Sequence, residues 1–306
     1  MSDITMLEFA DYAEVDRKTG AVVKQIVEES PIMEYVPVHL IQGAGYKYPR
    51  EESLGGIDWR AVGGSYVASA GMIRWDMETL AEAGGEVFVD DQEIESSNLI
   101  AIKPQKFMMK ARSMGLFISQ NFFEGDKSVD PDGLDGMRRR LMGSQLINAG
   151  TGGATLGLTM IRNLIDSVRG SPDALFMNKT MRNKITALVD AQTGTARIVY
   201  DRDNFGSVQR SFDGIPIRVI ERQDDASTFL EFNEDDGSGN PDTCSIYAVK
   251  FGMEDVHLIA HGGVPSVKDF GEIEDRPGHL GRIRWMWGIA VEHPRSAARL
   301  NHINNA

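Results

Sequence analysis

Cysteine is almost absent from this chain of 306 residues, because Cys244 is the only one. A single cysteine excludes an intrachain disulfide and any zinc site built from several cysteines. It fits a protein made in a reducing cytoplasm, where Cys244 is interpreted as an ordinary small residue before a strand.

Long apolar runs are missing as well, since no stretch approaches the roughly 20 residues that a membrane-spanning helix needs. The start of the chain is acidic and lacks the basic region and apolar segment of a signal peptide. We therefore expect a protein that is cytosolic when made and has no membrane partner.

The common catalytic motifs are also missing, because the sequence contains neither GxSxG nor HExxH. The glycines from Gly150 to Gly157 could form a ligand loop. However, Leu158 stands where a phosphate-binding loop needs Lys, and no strand clearly precedes the loop. We expect no enzyme and no cofactor, and keep a soluble ligand-binding enzyme that uses this loop as an alternative.

Potential metal ligands are not grouped in the pattern of a metal site. Asp201 and Asp203 begin a spacing similar to a calcium loop, but Phe205 and Phe212 occupy positions that need oxygen ligands. His257 and His261 would lie about 13 Å apart on a strand. The sequence therefore predicts no metal site.

What the chain does have is an ordinary globular composition, 42% hydrophobic and 25% charged, which predicts one or two domains. Its formal net charge of -13 argues against a protein whose main surface grips nucleic acid. DNA could still lie close to the protein without being tightly bound by it.

Residues 1–48 contain only short elements. Helical patterns cover Met6 to Ala13 and Ala21 to Glu29, and an extended run follows from Tyr35 to Leu40. Isolated helices this short are marginal in water. We expect this arm to be stabilised by packing on another surface of its own subunit or of a neighbouring one.

Residues 49–76 hold two Gly-Gly pairs and two tryptophans flanked by arginines, which indicates a long two-stranded excursion. Aromatic and guanidinium groups of this kind are enriched at protein interfaces. The alternative is that both tryptophans pack into the core of their own domain. The predicted inter-subunit contact residues are Arg50, Trp59, Arg60, Arg74 and Trp75.

A long helix is predicted at about residues 98–124. Its apolar stripe recurs at helical spacing, at Phe107, Ala111, Met114, Ile118 and Phe122. Four basic residues lie away from much of this stripe, namely Lys103, Lys106, Lys110 and Arg112. They could face DNA, although a solvated outer face is the simpler interpretation.

The rest of the chain mixes strands and helices without a regular βαβ repeat, which favours an α+β fold. Residues 173–190 indicate a buried strand followed by a helix with Asn178 as its N-cap, and a turn at Asp213-Gly214 leads into a second strand. Residues 281–303 predict a strand that continues into a short helix.

These segments, together with KQIVEESPIMEYVPVHLIQGAGYKYPRE at 24–51, resemble the major capsid protein family of tailed double-stranded-DNA phages. The resemblance implies an N-terminal arm at 1–48, an extended loop at 49–76 and a peripheral domain at 77–154 that includes the long spine helix. It further implies an axial domain at 155–265 and a return to the peripheral domain at 266–306.

In function, the resemblance implies pentamers and hexamers of one subunit that tile an icosahedral shell around double-stranded DNA, without sequence-specific binding. The expected location is the virion capsid, with assembly in the host cytoplasm. Expected partners are other copies of the chain, a portal and a separate scaffolding protein. An encapsulin-like nanocompartment shell, which encloses a cargo enzyme, is a further alternative.

Overall fold

Helices and strands alternate irregularly in the computed structural model, which describes residues 5, 6, 8, 17–96, 102–191, 198–202, 208–220, 229–235, 239, 242–274 and 276–305. The helices are α1 (Arg17–Glu29), α2 (Asp91–Ser96), α3 (Ile102–Glu124), α4 (Met137–Arg140), α5 (Leu158–Ser167) and α6 (Lys179–Ala191). The strands are β1 (Val38–Leu40), β2 (Gly45–Ser53), β3 (Met72–Thr79), β4 (Ala81–Asp90), β5 (Leu146–Asn148), β6 (Ala174–Met177), β7 (Ile198–Arg202), β8 (Val208–Phe212), β9 (Ile215–Val219), β10 (Thr243–Val249), β11 (Val256–Glu272), β12 (Gly278–Val291) and β13 (Ala297–Asn304). This mixture confirms the predicted α+β class.

The long helix α3 packs on a four-stranded sheet with the strand order β1-β11-β12-β4. Four of the predicted stripe residues, Ala111, Met114, Ile118 and Phe122, are buried, because the stripe faces the sheet. Phe107 is pressed so closely onto β12 that a Cβ at Gly281 would lie 2.0 Å from its ring. The helix begins at Ile102, and residues 98–101 of the predicted span lie outside the described residues.

Helix α1 packs directly on α3 of its own subunit. Val23 and Ile26 are fully buried in the core that α3 and the four-stranded sheet share. The Ser119 hydroxyl donates to the Ser30 hydroxyl oxygen at 2.8 Å just beyond the end of α1. The surface that stabilises this part of the N-terminal arm is therefore intramolecular. Of the other predicted helix, Met6 to Ala13, only residues 6 and 8 are described.

The second sheet has seven strands in the order β5-β13-β10-β6-β9-β8-β7 and packs against α5 and α6 around a separate core. Asn178 is the N-cap of α6, since its Oδ1 accepts from the Met181 backbone N–H at 2.8 Å. Asp213 and Gly214 both have positive φ, 50° and 85°, as a tight two-residue turn between β8 and β9 requires.

The predicted short helix at the end of the chain is wrong, because residues 297–304 form strand β13. This strand pairs antiparallel with β10 and parallel with β5, and its first five residues are all buried. The Ala-Ala-Arg-Leu sequence favours a helix locally. Pairing of the backbone with strands β10 and β5 on either side overrides that preference. The predicted return segment at 266–306 thus contributes β12 to one sheet and β13 to the other.

Candidate assembly surface

A two-stranded antiparallel hairpin, formed by β2 and β3, leaves the body of the subunit. The pairing runs from Gly45 opposite Thr79 to Ser53 opposite Met72, with an irregularity between Glu51 and Ser53. Residues 54–71 form the tip beyond the paired strands, and every one of them is exposed. Residues 45–79 are called the hairpin, and residues 54–71 within it are called the tip.

Exposed apolar side chains are concentrated on this hairpin. In the part of the chain that the structure describes, ten large apolar residues of the hairpin are exposed, with fractions from 60% at Trp75 to 105% at Trp59. They are Leu54, Ile57, Trp59, Val62, Tyr66, Val67, Met72, Ile73, Trp75 and Met77. Contiguous exposed apolar surface of this kind marks an interaction site in soluble proteins.

The base of the hairpin is fixed to the four-stranded sheet, on the face opposite to α3. Tyr48 is buried against Ile259 and Ala290, and its hydroxyl donates to the Val291 carbonyl oxygen at 3.2 Å. The neighbouring Tyr46 hydroxyl donates to Glu292 Oε1 at 2.8 Å. Burial, helped by the negative charge of Glu78, raises the pKa of Tyr48 to about 12, so this hydroxyl stays a donor at neutral pH.

Two further contacts hold the base in place. The Arg140 guanidinium donates to both carboxylate oxygens of Glu78, at 2.5 and 2.8 Å, and both side chains are less than one fifth exposed. Gly288 permits the close approach of β3, because a Cβ there would lie 2.9 Å from the Thr79 carbonyl oxygen. The hairpin is therefore rigidly held at its base and unsupported at its tip.

The structure separates the predicted contact residues into a tip pair and a stem group. At the tip, Trp59 is fully exposed, while the Arg60 guanidinium donates to the Gly64 carbonyl oxygen at 3.1 Å and lies over the Tyr66 ring. The alternative that Trp59 packs into its own domain's core is wrong. The role of Trp59 and Arg60 as contact residues between subunits stays a prediction.

The stem group consists of Arg50, Arg74 and Trp75. Arg50 lies opposite Arg74 across the strands, and both guanidinium groups contact Asp76, which lowers the repulsion between them. The hydrogen bond from Arg74 is the main reason that the pKa of Asp76 lies below its usual value. Trp75 is 60% exposed, so the core alternative fails for it too, and Lys47 lies over its ring at 5.1 Å.

Sequence reasoning missed the residues that fix the hairpin base, namely Tyr46, Tyr48, Glu78 and Arg140. A weak signal exists for the tyrosines, because two aromatic residues two positions apart on a strand share one face. Nothing local links Glu78 to Arg140, which lie 62 positions apart in the sequence.

The basic cluster on α3 is largely neutralised by carboxylates of the same subunit. Lys103 lies 2.9 Å from Asp269, Arg112 lies 3.5 Å from Glu29, and Lys106 pairs with Glu93. The remaining member, Lys110, lies across Gly85 of β4. This arrangement favours a solvated outer face over a surface that binds DNA.

The glycine-rich segment 150–157 is joined to the seven-stranded sheet at Ala154. It lies beside β13, where Ala149 and Ala154 donate their backbone N–H groups to the carbonyl oxygens of Asn301 and His302. Of these two donors only Ala154 belongs to the segment, and because the sheet uses its N–H, this group is not available to a phosphate.

No group of three or more His, Cys, Asp or Glu that could hold a metal ion occurs among the described residues, of which Asp203 is not one. Within those residues, no helix is both long and apolar enough to cross a membrane.

The partly buried carboxyl group of Glu124, at the end of α3, is expected to make the stability of the subunit depend on pH. Burial, reinforced by the charges of Glu234 and Glu231 against the opposing Arg138, raises its pKa to about 7. Because the folded state binds this proton more tightly than the unfolded state, the contribution of Glu124 to stability is lost as pH rises from about 4.5 through 7.

We therefore expect Glu124→Gln to be more stable than the parent at pH 8 and to lose less stability between pH 5 and pH 8. Thermal unfolding across this range measures the difference. Glu52→Gln, on the exposed hairpin, should leave the pH profile of the parent unchanged. Parallel profiles for Glu124→Gln and the parent would contradict this account.

The fold described above is similar to that of phage capsid subunits and encapsulins in solved structures. The encapsulin SrpI of Synechococcus elongatus PCC 7942 superposes with a TM-score of 0.65 at 12% identity, covering 90% of this chain and 88% of that one. The capsid subunit of the native GTA particle gives 0.62 at 12% identity, with 90% of each chain covered. The subunit of Microbacterium phage Oxtober96 gives 0.63 at 12% identity, also with 90% of each covered.

No protein-family model matches the sequence, and no curated protein matches it in sequence. At 12% identity the likeness establishes the fold. The predicted tailed-phage capsid fold is thereby confirmed.

Proposed function

We propose that this chain is a major capsid protein, a structural subunit that assembles with copies of itself into pentamers and hexamers of an icosahedral shell. The observation that carries the proposal is the projecting hairpin with its ten exposed apolar side chains, on a fold shared with capsid subunits. The role is structural, and no enzymatic step is assigned to it.

A two-stranded hairpin is at best marginally stable alone, and the tip makes no contact that buries its apolar residues. Since the base is held rigidly, the tip reaches away from its own subunit and needs a second molecule to cover it. A contact between a projection on one copy and a different surface on the next is heterologous, and contacts of this kind form rings when the rotation between copies closes.

On this proposal the parts of the chain take the following roles. The arm is 1–48, the extended loop 49–76, the peripheral domain 77–154 with 266–306, and the axial domain 155–265. The four-stranded sheet with α3 corresponds to the peripheral domain, and the seven-stranded sheet to the axial domain. The sheets support the core of this division but not its boundaries. Strands β5 and β13, from the peripheral ranges, join the seven-stranded sheet, and β11, which begins inside 155–265, joins the four-stranded sheet.

The proposed content is double-stranded DNA, held without sequence-specific contacts. Net negative charge and the paired basic residues on α3 support a container that does not adhere to what it encloses. We propose the virion capsid as the final location and the host cytoplasm as the place of assembly, with a portal and a separate scaffolding protein as partners.

A second candidate, the shell of a nanocompartment, is favoured by the likeness to the encapsulin, whose TM-score of 0.65 is similar to those of the phage subunits. The two candidates differ in content, since a compartment encloses protein cargo and a capsid encloses DNA. The soluble enzyme alternative is weakened, because Ala154 in the middle of segment 150–157 exchanges two backbone hydrogen bonds with β13.

The test is electron microscopy with analytical ultracentrifugation of the purified full chain, alone and with a scaffold candidate expressed from neighbouring genes. Closed shells, or rings of five and six subunits, are expected. Nuclease-protected DNA in particles from the native source would support the capsid, and a defined protein cargo the compartment. Monomers or dimers under all of these conditions would overturn both.

A further inference from the structure

Three aromatic rings meet where the base of the hairpin lies on the four-stranded sheet. They belong to His39 of β1, Tyr46 of β2 and His257 of β11. The ring centroids are 5.0 Å apart for His39 and Tyr46, 5.9 Å for His39 and His257, and 5.8 Å for Tyr46 and His257. Tyr48 extends the group, with its ring stacked on Tyr46 at 5.6 Å. The first three residues are called the ring cluster.

His257 is the innermost member of the ring cluster. It is fully buried, whereas His39 and Tyr46 are partly exposed. Neither imidazole nitrogen of His257 has a hydrogen-bond partner in the part of the chain that the structure describes. A neutral imidazole carries one donor and one acceptor, and a charged one carries two donors. Enclosing these groups without partners is unfavourable, and much more so when the ring is charged.

The carboxylates near His257 are committed to other groups. On β12, Glu292 lies two positions beyond the residue opposite His257, and its Oε1 accepts from the Tyr46 hydroxyl at 2.8 Å. In the turn before β11, Asp255 lies 2.6 Å from the Lys250 ammonium. A positive charge on the imidazole would therefore be poorly compensated.

The remaining neighbours also disfavour a charge. Glu254 in the same turn is exposed, and the group facing His257 from β1 is a second imidazole, His39. Burial, reinforced by His39 and only partly opposed by the Gly252 backbone, lowers the pKa of His257 to about 4. The ring is therefore neutral when the hairpin base is closed at neutral pH.

His257 lies on the hairpin side of the sheet, away from the core that contains α3. Its neighbours along β11, Val256 and Leu258, belong to that core, and successive side chains of a strand point to opposite faces. Lifting the hairpin base would therefore expose His257 to water without opening the packing of α3.

We propose that the ring cluster is an acid-sensitive switch, which holds the hairpin base on the sheet at neutral pH and releases it when His257 binds a proton. Tyr46 and His39 are the cover, and His257 is the group that responds. Because the closed ring is sealed from solvent, protonation accompanies lifting of the cover, and the charged ring then opposes closure. The release itself does not depend on the proposed function, whereas its consequence for shells does.

The direction and size of the effect follow from proton linkage. An exposed histidine has a pKa of about 6.5, so the open state binds the proton more tightly than the closed state. Opening therefore increases as pH falls below about 6.5 and levels off near 4. Between pH 7.5 and pH 5, we expect the opening equilibrium to rise about 30-fold.

The first test is hydrogen exchange with mass spectrometry on unassembled full-length subunits at pH 7.5 and pH 5, corrected for intrinsic exchange rates. The amides of β2 should show the rise, and those of β10, in the second core, should not. No rise in β2 would overturn the inference. An equal rise in both strands would overturn it too, since that result means global unfolding by acid.

The second test compares His257→Leu with His261→Leu. Both residues lie on β11, but His261 is exposed. We expect His257→Leu to abolish the rise in β2 and His261→Leu to keep it. The base also contains the carboxylates of Glu78 and Glu292, so a rise that persists in His257→Leu would assign the response to them and overturn the inference. His257→Met serves the same purpose if the leucine variant does not fold.

Shells provide a separate readout. Where the parent assembles, its particles should lose integrity at pH 5, and those of His257→Leu should keep it. If the parent assembles under no condition, the proposed function fails, and the exchange experiment still decides whether the ring cluster releases the hairpin.

Discussion

Replacing residues 55–70 with an Asn-Gly turn should yield a folded subunit that no longer forms closed shells. The replaced residues are all exposed, so their loss removes no contact from either core. Asn-Gly suits the short turn that would then join β2 to β3. Thermal unfolding should therefore change little, while electron microscopy should show no particles under conditions in which the parent assembles.

A pair of single substitutions makes the same test at one residue. Trp59→Ala and Val129→Ala each remove an exposed apolar side chain, 105% and 82% exposed, but only Trp59 lies on the tip. Aromatic residues in such positions often dominate the binding energy of an interface. We expect Trp59→Ala to lower particle yield strongly and Val129→Ala to leave it unchanged. Particles formed at parental yield by the shortened hairpin would show that the tip is not an assembly contact.

The elements that could be predicted from the sequence are those whose signals are local. The stripe on α3, the Asn178 cap and the Asp213-Gly214 turn each depend on residues within a few positions of one another. The hairpin was recognisable for the same reason, since Gly-Gly pairs and flanking strands lie within one segment. Local patterns also sufficed to place the exposed tryptophans on it, although not to exclude their burial.

The features that could not be predicted depend on partners distant in sequence. Strand β13 has a sequence that favours a helix, and its neighbours β10 and β5 lie about 50 and 150 positions earlier. Arg140 reaches Glu78 only because β3 and the segment 140–145 meet in the folded subunit. Likewise, nothing in the sequence alone decided whether the N-terminal arm packs on its own subunit or on a neighbour.

The contact between α1 and α3 leads to the second large effect, on the stability of the subunit itself. Ile26 is fully buried in the main core, and a Cβ at Gly115 of α3 would lie 2.8 Å from the Ile26 carbonyl oxygen. The two helices are thus packed with no spare space. If the arm were only an assembly contact, changes in α1 would affect shells but not isolated subunits.

We expect Ile26→Ala to lower the free energy of unfolding of unassembled subunits by about 2–5 kcal/mol, since it leaves a cavity in a close-packed core. Urea unfolding followed by tryptophan fluorescence measures this, because Trp285 and Trp287 are buried in the same core. Lys24→Ala is the matched control, on the exposed side of the same helix, and should change stability by less than about 0.5 kcal/mol. A loss of that small size for Ile26→Ala, with assembly impaired, would instead mean that α1 is held by a neighbouring subunit.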